Sequence, residues 1–176
     1  MLKIFTTQLT GLFKKITDNE EDHIEDGARL LAQAIIGDGS IYVLGIHEME
    51  AIAIEASIGT EPLPKIKRLS MHDDFTSIHQ TDRVLLVTRY STDEKAIESA
   101  SSLMNLSIPI VAISADSSKE NETSLTDLVD VHIDTKLIKP LIPNSDGTRF
   151  GLPTMMAALF AYYGLAYTIE EIIDEN

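Results

Sequence analysis

Three short apolar stretches decide the fold of this chain: SIYVLG at Ser40–Gly45, RVLLVT at Arg83–Thr88 and PIVAIS at Pro109–Ser114. Each is apolar at consecutive positions and rich in Val and Ile, which is typical of strands buried on both faces of a parallel sheet. Weaker strands are predicted at Lys65–Leu69 and Val129–Ile133. The sequence therefore predicts an open, mainly parallel sheet of five strands.

Helical patterns fill the segments between these strands. Alternation of strands and helices with short connections specifies an α/β three-layer sandwich, with helices on both faces of the sheet and right-handed crossovers. The predicted helices are Leu2–Ile16, Asp22–Ile36, Glu48–Ile58, Asp93–Leu106, Gly151–Ala166 and the short Thr168–Asp174.

The chain of 176 residues is expected to form a single domain that buries a sizeable core. The block Leu152–Ala166 is apolar all round, which indicates a core helix that also serves a subunit interface. The irregular stretch before it is long, and loops of that length are usually functional or mobile. The parts predicted along the chain are leading helices (1–37), a sheet core (40–133), the long loop (134–150) and closing helices (151–176).

The charge balance excludes several classes of partner. Lys and Arg number 14 and Asp and Glu number 28, so the formal net charge is −14. Such an excess of carboxylates repels nucleic-acid backbones and anionic membranes, and no apolar run is long enough to span a membrane. The absence of cysteine excludes disulfides, thiolate metal sites and cysteine nucleophiles. We therefore expect a cytoplasmic protein with no nucleic-acid or membrane partner and no cofactor.

Two strand ends are candidate ligand sites, because ligands of open α/β sheets bind where strands end and helices begin. One is the stretch at residues 45–50, GIHEME, and the other is TRYSTDE at residues 88–94. Ser91 and Glu94 have the spacing of a capping box, which starts a helix without any ligand. Alternatively, the hydroxyl groups there bind a phosphate with Arg89 as countercharge. The residues predicted to bind a ligand are Gly45, His47, Thr88, Arg89, Tyr90, Ser91, Thr92 and Arg149.

Two further features have competing interpretations. His47 and Glu50 resemble half of a metal site, but no second histidine follows at the spacing that a zinc site needs, so no metal is expected. Arg149 lies just before the closing helix. We expect it to form a salt bridge with one of the 28 carboxylates. Alternatively, it reaches the ligand cleft or pairs across a subunit contact.

These residues together resemble the sugar isomerase (SIS) domain superfamily, and phosphoheptose isomerases in particular. The chain is also similar to a small bacterial family, a domain of unknown function placed near that superfamily. The resemblance covers the leading helices, GSIYVLG, RVLLVTRYSTDEKAIESA, IPIVAIS and the closing apolar helix. It implies a parallel α/β sandwich that binds phosphosugars as a homodimer or tetramer, with sites near subunit contacts.

The phosphate-binding motifs of that superfamily are partly retained. Its first glycine-rich turn falls on residues 45–49, where Gly45 is kept and Met49 replaces the phosphate-binding serine. Its second loop, Ser-x-Ser-Gly-x-Thr, begins at Thr88, which keeps a hydroxyl group. The substituted positions of that loop are Tyr90, Ser91 and Asp93. A shift of the loop by one residue returns Ser91 or Thr92 to a hydroxyl role.

The catalytic residues of phosphoheptose isomerases are not retained. Those enzymes use a His and a Glu one helical turn apart on the helix after the first strand, and the nearest positions here are Glu55 and Gly59. They also use a Gln and a His in the closing helix, and Gly151–Ala166 contains neither residue type. The resemblance thus implies the fold without implying isomerase chemistry.

Three functions remain open. The first is a binding protein for a phosphorylated sugar or related small anion, with a sensor or regulatory role. The second is a phosphosugar aldose–ketose isomerase with a rearranged active site, which needs a base and an acid for proton transfer. The third is an assembly domain without a ligand. For the second, the candidate acids and bases are His47, Glu48, Glu50 and Glu55.

Overall fold

The computed structural model of the protein describes residues 1–175. Its α-helices are α1 (Leu2–Ile36), α2 (Glu50–Ile58), α3 (Glu94–Asn105) and α4 (Thr154–Asp174). Its strands are β1 (Ile41–Gly45), β2 (Ile66–Leu69), β3 (Arg83–Tyr90), β4 (Ile110–Ala115), β5 (Val131–Asp134), β6 (Ile142–Pro143) and β7 (Arg149–Phe150).

Strands β1 to β5 form one sheet in the order β2-β1-β3-β4-β5, and each neighbouring pair is parallel. The three strongest predicted strands are the three central ones, because only central strands are covered on both faces and need consecutive apolar residues. The two weaker predictions are the edge strands. The predicted α/β sandwich with a mainly parallel five-stranded sheet is confirmed.

Helices cover both faces of the sheet, since successive side chains of a strand point to opposite faces. Val43 and Val87 lie in a core with α1, α2 and α4. Their neighbours Leu44 and Leu86 lie in a second core, which α3 covers. The two cores and the sheet between them make the three layers.

The leading segment is one helix of 35 residues, α1, so the prediction of two helices, Leu2–Ile16 and Asp22–Ile36, is wrong. That prediction placed a break where the polar sequence TDNEE interrupts the apolar pattern. In the structure the buried face of α1 continues from Ile16 through Glu20 to Gly27. A charged residue therefore occupies a core position, and the helix continues through it.

Glu20 is only 2% exposed, and its carboxylate has partners on three sides. One oxygen forms an ion pair with Lys136. The other accepts a hydrogen bond of 2.9 Å from the backbone N–H of Asp134 and lies 2.9 Å from Nδ1 of His23. Partial burial lowers the pKa of Lys136, but its hydrogen bonds to Glu20 and Asp134 outweigh this and raise that pKa. Glu20 thereby fixes α1 to the edge strand of the sheet.

The closing segment is also one helix, α4, and not Gly151–Ala166 followed by a separate Thr168–Asp174. It packs along α1, where the rings of Phe13 and Phe160 stack with centroids 4.3 Å apart. The stretch predicted as a long loop contains a short antiparallel hairpin formed by β6 and β7.

Replacing Lys136 with Met should destabilise the protein by about 3 kcal/mol, because the Glu20 carboxylate then stays buried without its cation. Urea unfolding at neutral pH measures the difference. Lys139→Met is the matched control, since Lys139 is an exposed lysine in the same segment, and it should change stability by less than about 0.5 kcal/mol. Equally small losses for both variants would contradict the assigned role of Lys136.

Candidate functional site

The candidate site lies where the strand order of the sheet reverses. From β1 the chain crosses to β2 on one side and then returns to β3 on the other, so Gly45 at the end of β1 lies directly beside Val87 of β3. Ligands of open α/β sheets bind at such a reversal, outside the carboxyl ends of the strands. The structure therefore brings together the two strand ends that the sequence singles out.

The exit of β1 is a tight 3₁₀ turn at His47–Met49. A Cβ atom on Gly45 would lie 2.2 Å from the carbonyl oxygen of Met49, so only glycine fits there. His47 has a φ of 54°, in the left-handed region. The chain thus folds back on the strand end, and Gly45 serves this turn.

The segment between β3 and α3 does not form the predicted capping box. The N-cap of α3 is Asp93, whose carboxylate accepts a hydrogen bond of 3.1 Å from the N–H of Ala96. Ser91 is fully buried, and its N–H donates to the carbonyl of Ala115 at 2.9 Å. Because Ser91 still pairs with β4, the N-cap falls two residues later, at Asp93, and the prediction that Ser91 caps the helix is wrong.

Hydroxyl groups from the exits of β3 and β4 form one cluster. The hydroxyl of Ser91 lies 3.1 Å from Oδ1 of Asp116 and accepts a 3.0 Å hydrogen bond from the N–H of Ser117. Thr92 and Ser117 share a hydrogen bond of 2.8 Å between their hydroxyl groups. Ser118 donates to Asp116 from its N–H and its hydroxyl, at 3.0 and 2.7 Å. These hydroxyl groups, from Ser91, Thr92, Ser117 and Ser118, form a fixed hydroxyl platform beside the start of α3.

Asp116 is the acceptor at the centre of this platform. Burial raises the pKa of its carboxyl, but hydrogen bonds from Ser118 and Ser91 outweigh burial and leave that pKa below its ordinary value. Asp116 is therefore ionised at neutral pH. Sequence reasoning missed Asp116, Ser117 and Ser118, although a polar ADSS stretch directly after a buried strand is the signal that could have found them.

An ion pair spans the reversal point of the sheet. Nε and Nη2 of Arg89 donate to Oε1 of Glu48 at 2.8 and 2.6 Å, which joins the exit of β3 to that of β1. The side chains are 46% and 35% exposed. Burial raises the pKa of Glu48, but Arg89 and a backbone hydrogen bond more than compensate and lower that pKa. Beside this pair, Nε2 of His47 lies 3.7 Å from the carboxylate of Asp93.

The remaining predicted ligand residues occupy different surroundings. Thr88 is buried, and its hydroxyl has no hydrogen-bond partner within residues 1–175. Tyr90 pairs with Ala115 in the sheet, and the Arg89 guanidinium lies 6.0 Å from the centre of its ring. Arg149 donates to the carbonyls of Pro140 and Leu141, at 2.9 and 2.8 Å. Its guanidinium therefore supports the hairpin segment, and the expected salt bridge to a carboxylate is replaced by backbone acceptors.

The candidate acids and bases each have a separate partner. Glu50 forms an ion pair with Arg68. Glu55 accepts a 2.8 Å hydrogen bond from the hydroxyl of Tyr163, across the contact between α2 and α4. Since Glu48 is held by Arg89 as described above, the four candidates do not converge on one point. Proton transfer between adjacent carbons needs such a convergence.

A polar cavity of ≈ 380 Å³ lies at the outer edge of the sheet, lined in part by Asp116, His132 and Asp134. Nε2 of His132 lies 2.7 Å from the hydroxyl of Ser114. Burial lowers the pKa of His132, and the nearby carboxylates of Asp134 and Asp116 compensate only in part. Within residues 1–175, no group of three or more His, Asp and Glu side chains has the arrangement of a metal site.

The lowered pKa of His132 predicts a pH dependence of stability. Between about pH 6.5 and the lower pKa of His132 in the folded protein, the unfolded chain binds more protons than the folded one. The contribution of neutral His132 to the free energy of unfolding is therefore complete above about pH 6.5 and is lost as the pH falls. His132→Asn keeps a hydrogen-bonding group for Ser114, and its stability should fall less between about pH 7 and 5. Thermal unfolding across this range measures the slopes. The control His72→Asn, at an exposed histidine, should keep the wild-type slope, and a wild-type slope in His132→Asn would contradict the assignment.

Comparison with solved structures identifies the fold. A candidate phosphosugar isomerase involved in capsule formation, from Bacteroides fragilis, matches 98% of this chain and 92% of its own, with a TM-score of 0.65 at 14% identity. The sugar isomerase domain of an RpiR transcription factor from Sphaerobacter thermophilus matches 98% of this chain and 97% of its own, with a TM-score of 0.58 at 11% identity. The fold is therefore that of the SIS-domain proteins.

The family itself is defined by sequence. The model of the family described as Domain of unknown function (DUF2529) matches residues 1–173, and the chain belongs to that family. It is 42% identical over 175 residues to the uncharacterized protein YwjG of Bacillus subtilis (strain 168), and the match covers 99% of both chains. No α-helix within residues 1–175 combines the length and hydropathy needed to cross a bilayer.

Proposed function

We propose that the protein is a cytoplasmic sensor that binds a phosphorylated sugar, or a related small anion, at the reversal point of the sheet. The observation that carries this proposal is Arg89, whose half-exposed guanidinium joins the exits of β3 and β1 at the reversal point. A guanidinium binds phosphate oxygens through charge-assisted hydrogen bonds, often two at once. Solved relatives of the fold include both a candidate phosphosugar isomerase and a transcription factor.

The ion pair of Arg89 with Glu48 supports a sensor in particular. The carboxylate of Glu48 accepts the hydrogen bonds of Arg89 that a phosphate would use. Binding of a phosphate therefore displaces the carboxylate of Glu48 from Arg89. That exchange frees the turn at residues 47–49 from β3, which gives the ligand a structural consequence. The protein would then report the ligand through the position of this turn.

A phosphosugar isomerase with a rearranged active site is the second candidate, favoured by the name of the Bacteroides relative. It is the weaker proposal, because Glu50 and Glu55 have partners away from the reversal point. An assembly domain without a ligand is the third. The family resemblance also supports a homodimer or tetramer, whichever function holds.

Thermal unfolding with added ligands tests the sensor proposal. The probes are inorganic phosphate, hexose 6-phosphates and pentose 5-phosphates, with the unphosphorylated sugars as controls. A ligand at about 100 times its dissociation constant should raise the midpoint of unfolding by about 5 to 10 °C. If no phosphorylated probe stabilises the protein, the assembly domain is favoured instead, and turnover of any ligand that does bind would favour the isomerase.

Two substitutions with opposite effects test the ion pair. Arg89→Met should weaken binding of the stabilising ligand about ten- to a hundredfold, because it removes a charge-assisted donor. Glu48→Gln should strengthen it roughly two- to fivefold, because the competing charge is gone. Arg68→Met and Glu50→Gln alter the neighbouring exposed ion pair and should leave affinity unchanged. Weaker binding in Glu48→Gln would contradict the exchange.

A further inference from the structure

A cavity of ≈ 470 Å³ lies between α3 and the connection from β2 to β3. Its α3 wall runs from Glu98 to Leu106, which corresponds to about 12 Å along a helix axis. The opposite wall comes from residues 71–76. The hydroxyl platform lies beside the start of α3, whereas this cavity lies along its later turns. The cavity is therefore separate from the reversal point of the sheet.

Three exposed carboxylates line this cavity, those of Asp73, Asp74 and Glu98, and none of the lining residues is basic. Within residues 1–175, none of these three carboxylates forms an ion pair. The N–H of Thr76 donates a hydrogen bond of 2.9 Å to Asp74 and lowers the pKa of its carboxyl, so Asp74 is ionised at neutral pH. The cavity therefore presents negative charge that the protein itself does not neutralise.

A buried hydroxyl group also opens into the cavity. Ser99 is only 8% exposed, lines the cavity, and has no hydrogen-bond partner for its hydroxyl within residues 1–175. Serines inside helices commonly donate to the carbonyl four residues earlier, as Ser57 and Ser102 do at 2.7 and 2.9 Å. A buried hydroxyl without a partner costs free energy. A ligand in the cavity would supply the partner that Ser99 lacks.

The remaining side of the cavity is apolar and consists of Met71, Phe75 and Leu106. Met71 and Phe75 pack against the core that α3 covers, and Leu106 is 38% exposed. Carboxylates and apolar side chains therefore face the same space. A ligand that fills this space needs positive charges joined by apolar segments.

We propose that this cavity binds a linear aliphatic polyamine. Its ammonium groups pair with the carboxylates of Asp73, Asp74 and Glu98, and one of them donates to the hydroxyl oxygen of Ser99. An ammonium group carries donors and no acceptor, which matches a cavity that offers acceptors and no cation. The methylene segments pack on the apolar side, as the stem of a lysine side chain does on apolar surface.

Other classes of ligand match only part of the cavity. A phosphorylated sugar is repelled by the three carboxylates. Within residues 1–175, no group of three or more His, Asp and Glu side chains can hold a metal ion, and an inorganic cation leaves the apolar side unused. A cationic peptide brings backbone N–H and C=O groups, for which that apolar side provides no partner. A polyamine has the charges without these additional polar groups.

Isothermal titration calorimetry of the full chain with spermidine tests the proposal, in buffer without phosphate so that the reversal point stays free. We expect one site per chain, with binding weakened by added salt. Ser99→Ala should raise the dissociation constant about tenfold, because it removes an acceptor for a charged donor. Glu98→Gln should raise it about three- to fivefold, because an exposed ion pair is lost. Putrescine should bind more weakly than spermidine, since it has one ammonium group fewer.

Matched variants separate this site from general charge effects. Ser101→Ala changes a serine of α3 outside the cavity lining, and Glu120→Gln removes one exposed carboxylate elsewhere. Both should keep the wild-type dissociation constant, and circular dichroism of each variant checks that the fold is retained. Absence of spermidine binding, unchanged binding in either Ser99→Ala or Glu98→Gln, or equal weakening in the matched variants would overturn the proposal. Tighter binding of trilysine or of Mg²⁺ than of spermidine would overturn it as well, in favour of a peptide or a metal ion.

Discussion

The buried carboxylate of Glu20 is the interaction on which the rest of the structure depends. It lies in the middle of α1, and it would be costly to bury if Lys136 and the backbone N–H of Asp134 did not meet it. Those partners lie at and just after the end of β5, which within residues 1–175 is the last strand on its side of the sheet. One charged residue thus lets α1 continue unbroken across a polar stretch and also accepts a hydrogen bond from the N–H of Asp134 at the edge of the sheet.

The same contact continues into the candidate site. Oδ1 of Asp134 accepts hydrogen bonds from the N–H groups of Asp116 and Lys136, at 3.0 and 2.8 Å, and Asp116 in turn holds the hydroxyl of Ser91. The platform at the exits of β3 and β4 is therefore anchored to α1 through consecutive hydrogen bonds. The ion pair of Arg89 and Glu48 is different, since both side chains reach solvent. The candidate site therefore combines the fixed hydroxyl platform with an ion pair that water and ions can reach.

The sequence predicts the sheet well because consecutive apolar residues in the central strands are a local signal of burial on both faces. It fails at residues 17–21, because the partner that makes Glu20 acceptable inside the core is more than a hundred residues away. It fails at Ser91 for a similar reason. Ser91 and Glu94 have the spacing of a capping box, but pairing of Ser91 with Ala115 of β4 overrides that local preference. Both of these errors occur where a distant contact decides the local structure.

Under the proposed function, the affinity for an anion is set by competition inside the protein. Glu48 is always present near Arg89, so an external phosphate binds only the fraction of molecules in which that ion pair is open, and the apparent dissociation constant rises in inverse proportion to that fraction. The net charge of −14 slows the approach of an anion, although salt screens this repulsion beyond about 8 Å. Both effects favour a weak and reversible complex. Such a complex suits a sensor of an abundant metabolite, because occupancy then follows concentration instead of saturating.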